Sequence, residues 1–174
     1  MKTIEERMAG YSAYHRHPKN KLTHFFGVPM VYYSPLIALG WVQIPAFGMQ
    51  ISLIWPVFAA VMIWYFTLDL MLASLMAVIS APIVYACWQA SLLPFNESLT
   101  LVIVINIVGW AIQLIGHYFE GRRPALVDNL LQALMAPLFL IAEVLFHFGI
   151  RKELEKDVME KVRTFTFPDK RQTV

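Results

Sequence analysis

Five long apolar runs constrain this chain more than any other feature. They cover residues 25–47, 51–68, 70–92, 99–119 and 130–150, and a helix needs about 20 apolar residues to cross the hydrocarbon core of a bilayer. Each run is long enough, or nearly so. Composition agrees, because 58% of residues are hydrophobic and 15% charged, whereas soluble domains hold about 45–50% apolar and about 25% charged residues. The expected fold is therefore an all-α integral membrane protein, a bundle of four to five hydrophobic helices in a single domain over residues 1–174. An N-terminal interfacial helix over 2–16 precedes the bundle, with Ile4, Met8 and Tyr11 on one face, and a charged helix from Arg151 to about Phe165 follows it. Pro18, tolerated at a first helical position, starts the second helix. The single cysteine, Cys87, excludes a disulfide within the chain. Residues 1–20 have no apolar core of the kind a cleaved signal peptide needs, so none is expected.

The basic residues divide unevenly. Five precede residue 22, two are Arg122 and Arg123, and seven lie from Arg151 onward, which accounts for all 14. The positive-inside rule places all three clusters on the cytoplasmic side. Four crossings satisfy that condition, and a full fifth crossing by 130–150 breaks it. That last segment, with Pro137, Glu143 and His147, is expected to be protein-buried or re-entrant. The basic residues read as topology signals and lipid head-group contacts, not as a nucleic-acid surface. Bilayer lipid is the expected partner, and oligomeric state is left open.

Several polar residues lie where a membrane helix should have none. In "INIVGWAIQLIGHYFE" the residues Asn106, Gln113, His117 and Glu120 fall on one helical face. Such groups face the interior of a bundle or a wet cavity. Ahead of the first apolar run, "YHRHPKNKLTH" carries His15, His17, Asn20 and His24, and His17, Asn20 and His24 share a face if residues 18–28 are helical. Topology brings four of the five histidines to one side of the bilayer. Neutral imidazole is the commonest metal ligand, so these stretches form a candidate metal site. Glu143 and His147, at i and i+4, join it or support it. There is no phosphate-binding loop and no nucleophile elbow. Five histidines are too few for a two-iron desaturase site.

Two blocks resemble a known family. "YSAYHRHPKNKLTHFFGVP" is similar to its N-terminal pattern, Y-x-x-Y-H followed by N-x-x-x-H-x-x-G-x-P. "QLIGHYFEGRRPA" is similar to its C-terminal pattern, Q-x-x-G-H-x-x-E-x-x-x-P-A. The family is that of the 2-hydroxy fatty acid dioxygenases, found in bacteria and in the eukaryotic endoplasmic reticulum, where they act in α-oxidation. The resemblance implies an enzyme dependent on Fe2+ that converts a long-chain 2-hydroxy fatty acid and O2 to an acid one carbon shorter. The reaction balances as RCH(OH)COOH + O2 → RCOOH + CO2 + H2O, so it needs no nicotinamide, flavin or 2-oxoglutarate. It implies His15, His24 and His117 as metal ligands and catalytic centre, with His17 or Glu120 as a fourth or a replacement. Asn20 and Gln113 become supporting hydrogen-bond partners, and Arg122 and Arg123 candidates for holding the carboxylate. The membrane would be bacterial cytoplasmic or endoplasmic-reticular, with the N-terminus and metal site facing the cytoplasm. Two other readings compete: a zinc-dependent membrane lipid enzyme, and a non-enzymatic transporter or scaffold.

Overall fold

The computed structural model describes residues 3–46, 48–121 and 130–166, with backbone alone at 130–132. The elements are α1 (Ile4–Tyr14), α2 (Pro18–Gly40), β1 (Gln43–Ala46), β2 (Met49–Ser52), α3 (Ile54–Phe66), α4 (Leu70–Ser91), α5 (Phe95–Glu120), α6 (Leu130–His147) and α7 (Lys152–Arg163). The chain is an all-α membrane protein apart from one small hairpin. It clusters into two compact units: residues 1–25 with 112–174, and residues 26–111. The division falls inside α2 and inside α5.

The second unit holds most of the lipid-compatible helix. Among the described residues three helices, α2, α4 and α5, are each long and apolar enough to cross a membrane. At 1.5 Å per residue they reach about 33 to 39 Å, against a hydrocarbon core of about 30 Å. Pro29, Pro35 and Pro82 lie inside these helices, as membrane helices tolerate when neighbours satisfy the freed backbone. The expected first run, 25–47, stops being helical at Gly40. A Cβ there would collide with the Ser91 side chain on α4, and the chain turns into the antiparallel hairpin that pairs Gln43 with Ser52 and Ala46 with Met49. The second expected run shortens to α3, whose 13 residues extend about 20 Å and do not by themselves span a bilayer. Asp69 caps α4 by accepting from Leu72 N at 2.9 Å. Its side chain thereby replaces a helical turn's missing carbonyl. Val78 at 73% and Ile107 at 63% exposure would be a liability in water, but they are what a lipid-facing surface requires.

α2 and α5 run antiparallel. Within this unit Trp41 Nε1 donates to Ser98 Oγ at 2.9 Å and Asn106 Nδ2 donates to Ser34 Oγ at 3.2 Å. A Cβ on Gly109 would lie 2.7 Å from Met30 Cβ, so the bare glycine permits the close approach.

The first unit is built around α1. A capping box starts that helix: Glu6 N donates to Thr3 Oγ1 and Thr3 N donates to Glu6 Oε2, satisfying two donors that the first turn leaves bare. Its second half is small, with Ala9, Gly10, Ser12 and Ala13, and is buried on all sides. α6 and α7 pack against it. α7 presents Leu154, Val158 and Val162, spaced i, i+4 and i+8, as a buried stripe. Each such side chain contributes roughly 1.5–3 kcal/mol on full burial. α6 and α7 meet at 118°, with Arg151 in the left-handed region at φ 60°. A bend of this size belongs either to a broken span or to a re-entrant segment.

Candidate metal centre

Three segments far apart in sequence deliver one imidazole each. His15 ends α1, His24 sits in the second turn of α2, and His117 lies one turn before the end of α5. All three are buried, with 2–5% exposure. One ligand atom from each falls within 4.8 Å of the others. The ring centroids lie 4.5 Å (His15–His24), 4.9 Å (His24–His117) and 5.2 Å (His15–His117) apart, at interplanar angles of 64–84°. Three nitrogens each about 2.1 Å from one ion lie at most about 3.6 Å from one another when evenly spaced, so the trio must draw in by up to roughly 1.2 Å to close on a metal.

Backbone carbonyls set the tautomers. His15 Nδ1 donates to Tyr11 O at 2.7 Å and His24 Nδ1 donates to Asn20 O at 2.9 Å, each across one helical turn. With the proton held on Nδ1, Nε2 keeps its lone pair for a metal. Tyr11 grips His15 a second time, through a parallel ring contact at 4.0 Å and 12°. Burial, then the neighbouring His24, pushes the His15 pKa well below the usual imidazole range, against the opposing pull of the Tyr11 carbonyl. A neutral ring is the ligating form. This donor set therefore fits a metal on its own chemistry.

Glu120 stands beside the cluster in a different role. Its carboxylate accepts from Arg16 N at 3.0 Å, His17 N at 2.7 Å and Asn20 Nδ2 at 3.0 Å. It thus caps the start of α2, satisfying amide donors that no helical carbonyl can reach. The end of α5 is thereby tied to the linker that follows His15 and to the residue whose carbonyl orients His24. Gly116 makes the approach possible, since a Cβ there would collide with Thr23 Oγ1 and lie 2.6 Å from Asn20 Oδ1.

The remaining candidates separate. His17 lies outside the trio; its ring stacks on Phe119 at 5.9 Å, and its Nδ1 accepts from Lys19 N at 3.2 Å. Gln113 is buried on α5 one turn before His117. Glu143 binds Lys21 at 2.7 Å. His147 is exposed at the end of α6, against Phe148. Arg122 and Arg123 fall outside the described residues. Spacing alone missed Tyr11 and Lys21. Tyr11 could have been found at four residues before His15, the distance at which a helical carbonyl meets a side chain.

Fold and centre together define an all-α membrane protein with a buried three-histidine site. Residues 1–148 match the family described as 2-hydroxy-palmitic acid dioxygenase Mpo1-like. The chain belongs to that family. It is also 33% identical, over 168 residues and 92% of each chain, to the 2-hydroxy-palmitic acid dioxygenase MPO1 of Saccharomyces cerevisiae. No solved structure matches the chain.

Proposed function

We propose that this protein is an Fe2+-dependent dioxygenase that shortens a long-chain 2-hydroxy fatty acid by one carbon, using O2 and releasing CO2. The observation that carries the proposal is the buried trio His15, His24 and His117, in a chain of this family. These three hold the metal. Ferrous iron in such a site supplies the one-electron chemistry through which O2 reacts with a closed-shell substrate. The chain's own part is positional. Tyr11 and Asn20 fix two imidazoles through their carbonyls. Glu120 holds the segments together, and burial keeps bulk water from the reacting centre. A metal held by these three side chains would stay accessible to substrate and O2. The basic clusters support placing the N-terminus and the centre at the cytoplasmic face, in a bacterial cytoplasmic membrane or, in a eukaryote, the endoplasmic reticulum. There the head of a lipid reaches the histidines while its tail stays in the bilayer.

The test is purification in detergent without oxygen, a count of bound iron and zinc, then addition of O2 and 2-hydroxypalmitate. Roughly one iron per chain and formation of pentadecanoate, both lost in His117→Ala, are the expected results. Full activity with zinc and no iron would instead favour the zinc lipid enzyme, because three histidines also suit catalytic zinc. Folded protein without metal or chain shortening would sink both.

A further inference from the structure

A cavity of about 300 Å³ lies in the first unit, lined by residues that include Lys21, Phe139, His147 and Met159 and by two carboxylates, Glu143 and Glu155. Its size falls at the low end of the range for small-ligand sites, about 300–1,000 Å³. Lys21 is the one lysine or arginine among the described residues of its lining. The Lys21 ammonium donates to Glu143 Oε1 at 2.9 Å and Oε2 at 2.7 Å. An ammonium has three N–H groups, so a third can serve another acceptor. Lys21 stands one turn before His24 on α2, and its charge is felt at His15.

A second observation points the same way. The Tyr11 hydroxyl is buried and has no hydrogen-bond partner among the described residues. Buried hydroxyls are almost always paired, so this donor is open to an acceptor that the described residues do not supply. Its ring lies between His15, at 4.0 Å, and Phe139, at 4.8 Å, and Phe139 lines the cavity. The hydroxyl also lies within the field of Glu143. One lysine thus lies in the cavity wall, and one unsatisfied donor belongs to a ring that touches both Phe139 of that wall and His15 of the cluster. Phe139, Phe146, Val158 and Met159 supply apolar wall for the first methylenes of a chain.

We propose that this cavity is the carboxylate subsite of a fatty acid, with Lys21 as the cation and Tyr11 as the hydrogen-bond donor that hold the acid end beside the histidines. Glu143 shares Lys21 with the ligand and limits how tightly the acid is held. The inference rests on the fatty-acid reading above, but its test uses binding and no turnover, so a protein that fails to shorten 2-hydroxypalmitate still decides it.

The experiment is thermal unfolding of the full chain in detergent, titrated with palmitate and, separately, with 1-hexadecanol. Palmitate is expected to raise the melting temperature of the unaltered protein, and hexadecanol, which lacks the carboxylate, is not. Lys21→Met should raise the half-saturating palmitate concentration roughly tenfold or more, as loss of a charged hydrogen bond does. Lys21→Arg should keep the response, and Tyr11→Phe should weaken it by less than Lys21→Met. Glu143→Gln breaks the same ion pair but leaves the lysine free, so it should bind palmitate as well or better. Equal loss in Lys21→Met and Glu143→Gln would mark the pair as a structural strut and overturn the proposal. Equal responses to palmitate and hexadecanol would overturn it too. Should Lys21→Met show no folding transition, the contrast between the two lipids and the direction of Glu143→Gln decide alone.

Discussion

The α2–α5 helix pair carries polar contacts in both units, and they do different work. In the second unit Asn106 meets Ser34 at 3.2 Å, and the two neutral groups satisfy each other. In the first unit Asn20 donates to Glu120 at 3.0 Å while its own carbonyl accepts from His24. There the polar groups orient a side chain whose remaining nitrogen faces other imidazoles. A polar seam that closes on itself is a packing device. A seam that ends among imidazole nitrogens within 4.8 Å of one another is a candidate site. Buried polar groups are normally paired, and only the second seam leaves one over among the described residues, the Asn20 Oδ1.

The largest break in this comparison is His117→Ala. It should remove bound metal and lower turnover by at least about a hundredfold while leaving helical content intact, checked by metal analysis and far-ultraviolet circular dichroism. Metal retained at full stoichiometry would exclude His117 as a ligand.

Glu120→Ala comes next. It strips four hydrogen-bond contacts from the start of α2. A lost charged cap of this kind should destabilise the fold by about 2–3 kcal/mol. Metal affinity should fall with it, by about 10–100-fold. A metal titration alongside a melting curve checks both; if metal binding falls and stability does not, Glu120 is a ligand rather than a cap.

A matched pair of glycines sharpens the contrast. Gly116→Ala drives a Cβ toward Asn20 and Thr23, and Gly109→Ala drives one toward Met30 and Val31. Each should cost about 1–3 kcal/mol by overpacking. Gly116→Ala alone should weaken metal binding, because Asn20 holds His24.

Acid should act on the first unit. His15 is neutral in the fold, its pKa held well below 6.5 by burial and then by His24. The unfolded chain therefore takes up a proton that the folded chain refuses. Stability is full above about pH 6.5 and falls as pH drops below it. The melting temperature of metal-free protein, followed from about pH 7.5 to about pH 5, should decline. A flat profile would mean that His15 is not held neutral. The smallest effect belongs to Asn106→Leu, at about 1 kcal/mol or less with metal binding unchanged, read by the same two assays.

Much of this was legible in the sequence because its causes are local. Runs of apolar side chains impose helices of spanning length, Pro18 starts α2, and the charge pattern of 152–163 makes α7. Histidines placed at the two ends of apolar runs raise a metal site before any coordinates are known. Other expectations depended on what lies across the fold. The helix of run 25–47 ends at Gly40, where only a residue without a side chain fits beside Ser91. Glu120, three residues after His117, reads as a ligand by spacing, yet its oxygens are taken by amides about a hundred positions earlier. His17 is as near His15 as a ligand could be, but the turn before α2 sends it to Phe119.

What the sequence by itself determined was the solvent, the helices and the kind of donor atom, because hydrophobicity and residue chemistry belong to each position. What only the tertiary structure decided was which three histidines converge, which carboxylate caps a helix, and that Lys21 pairs with Glu143. Those are facts about distances between segments remote along the chain, and no local periodicity records them.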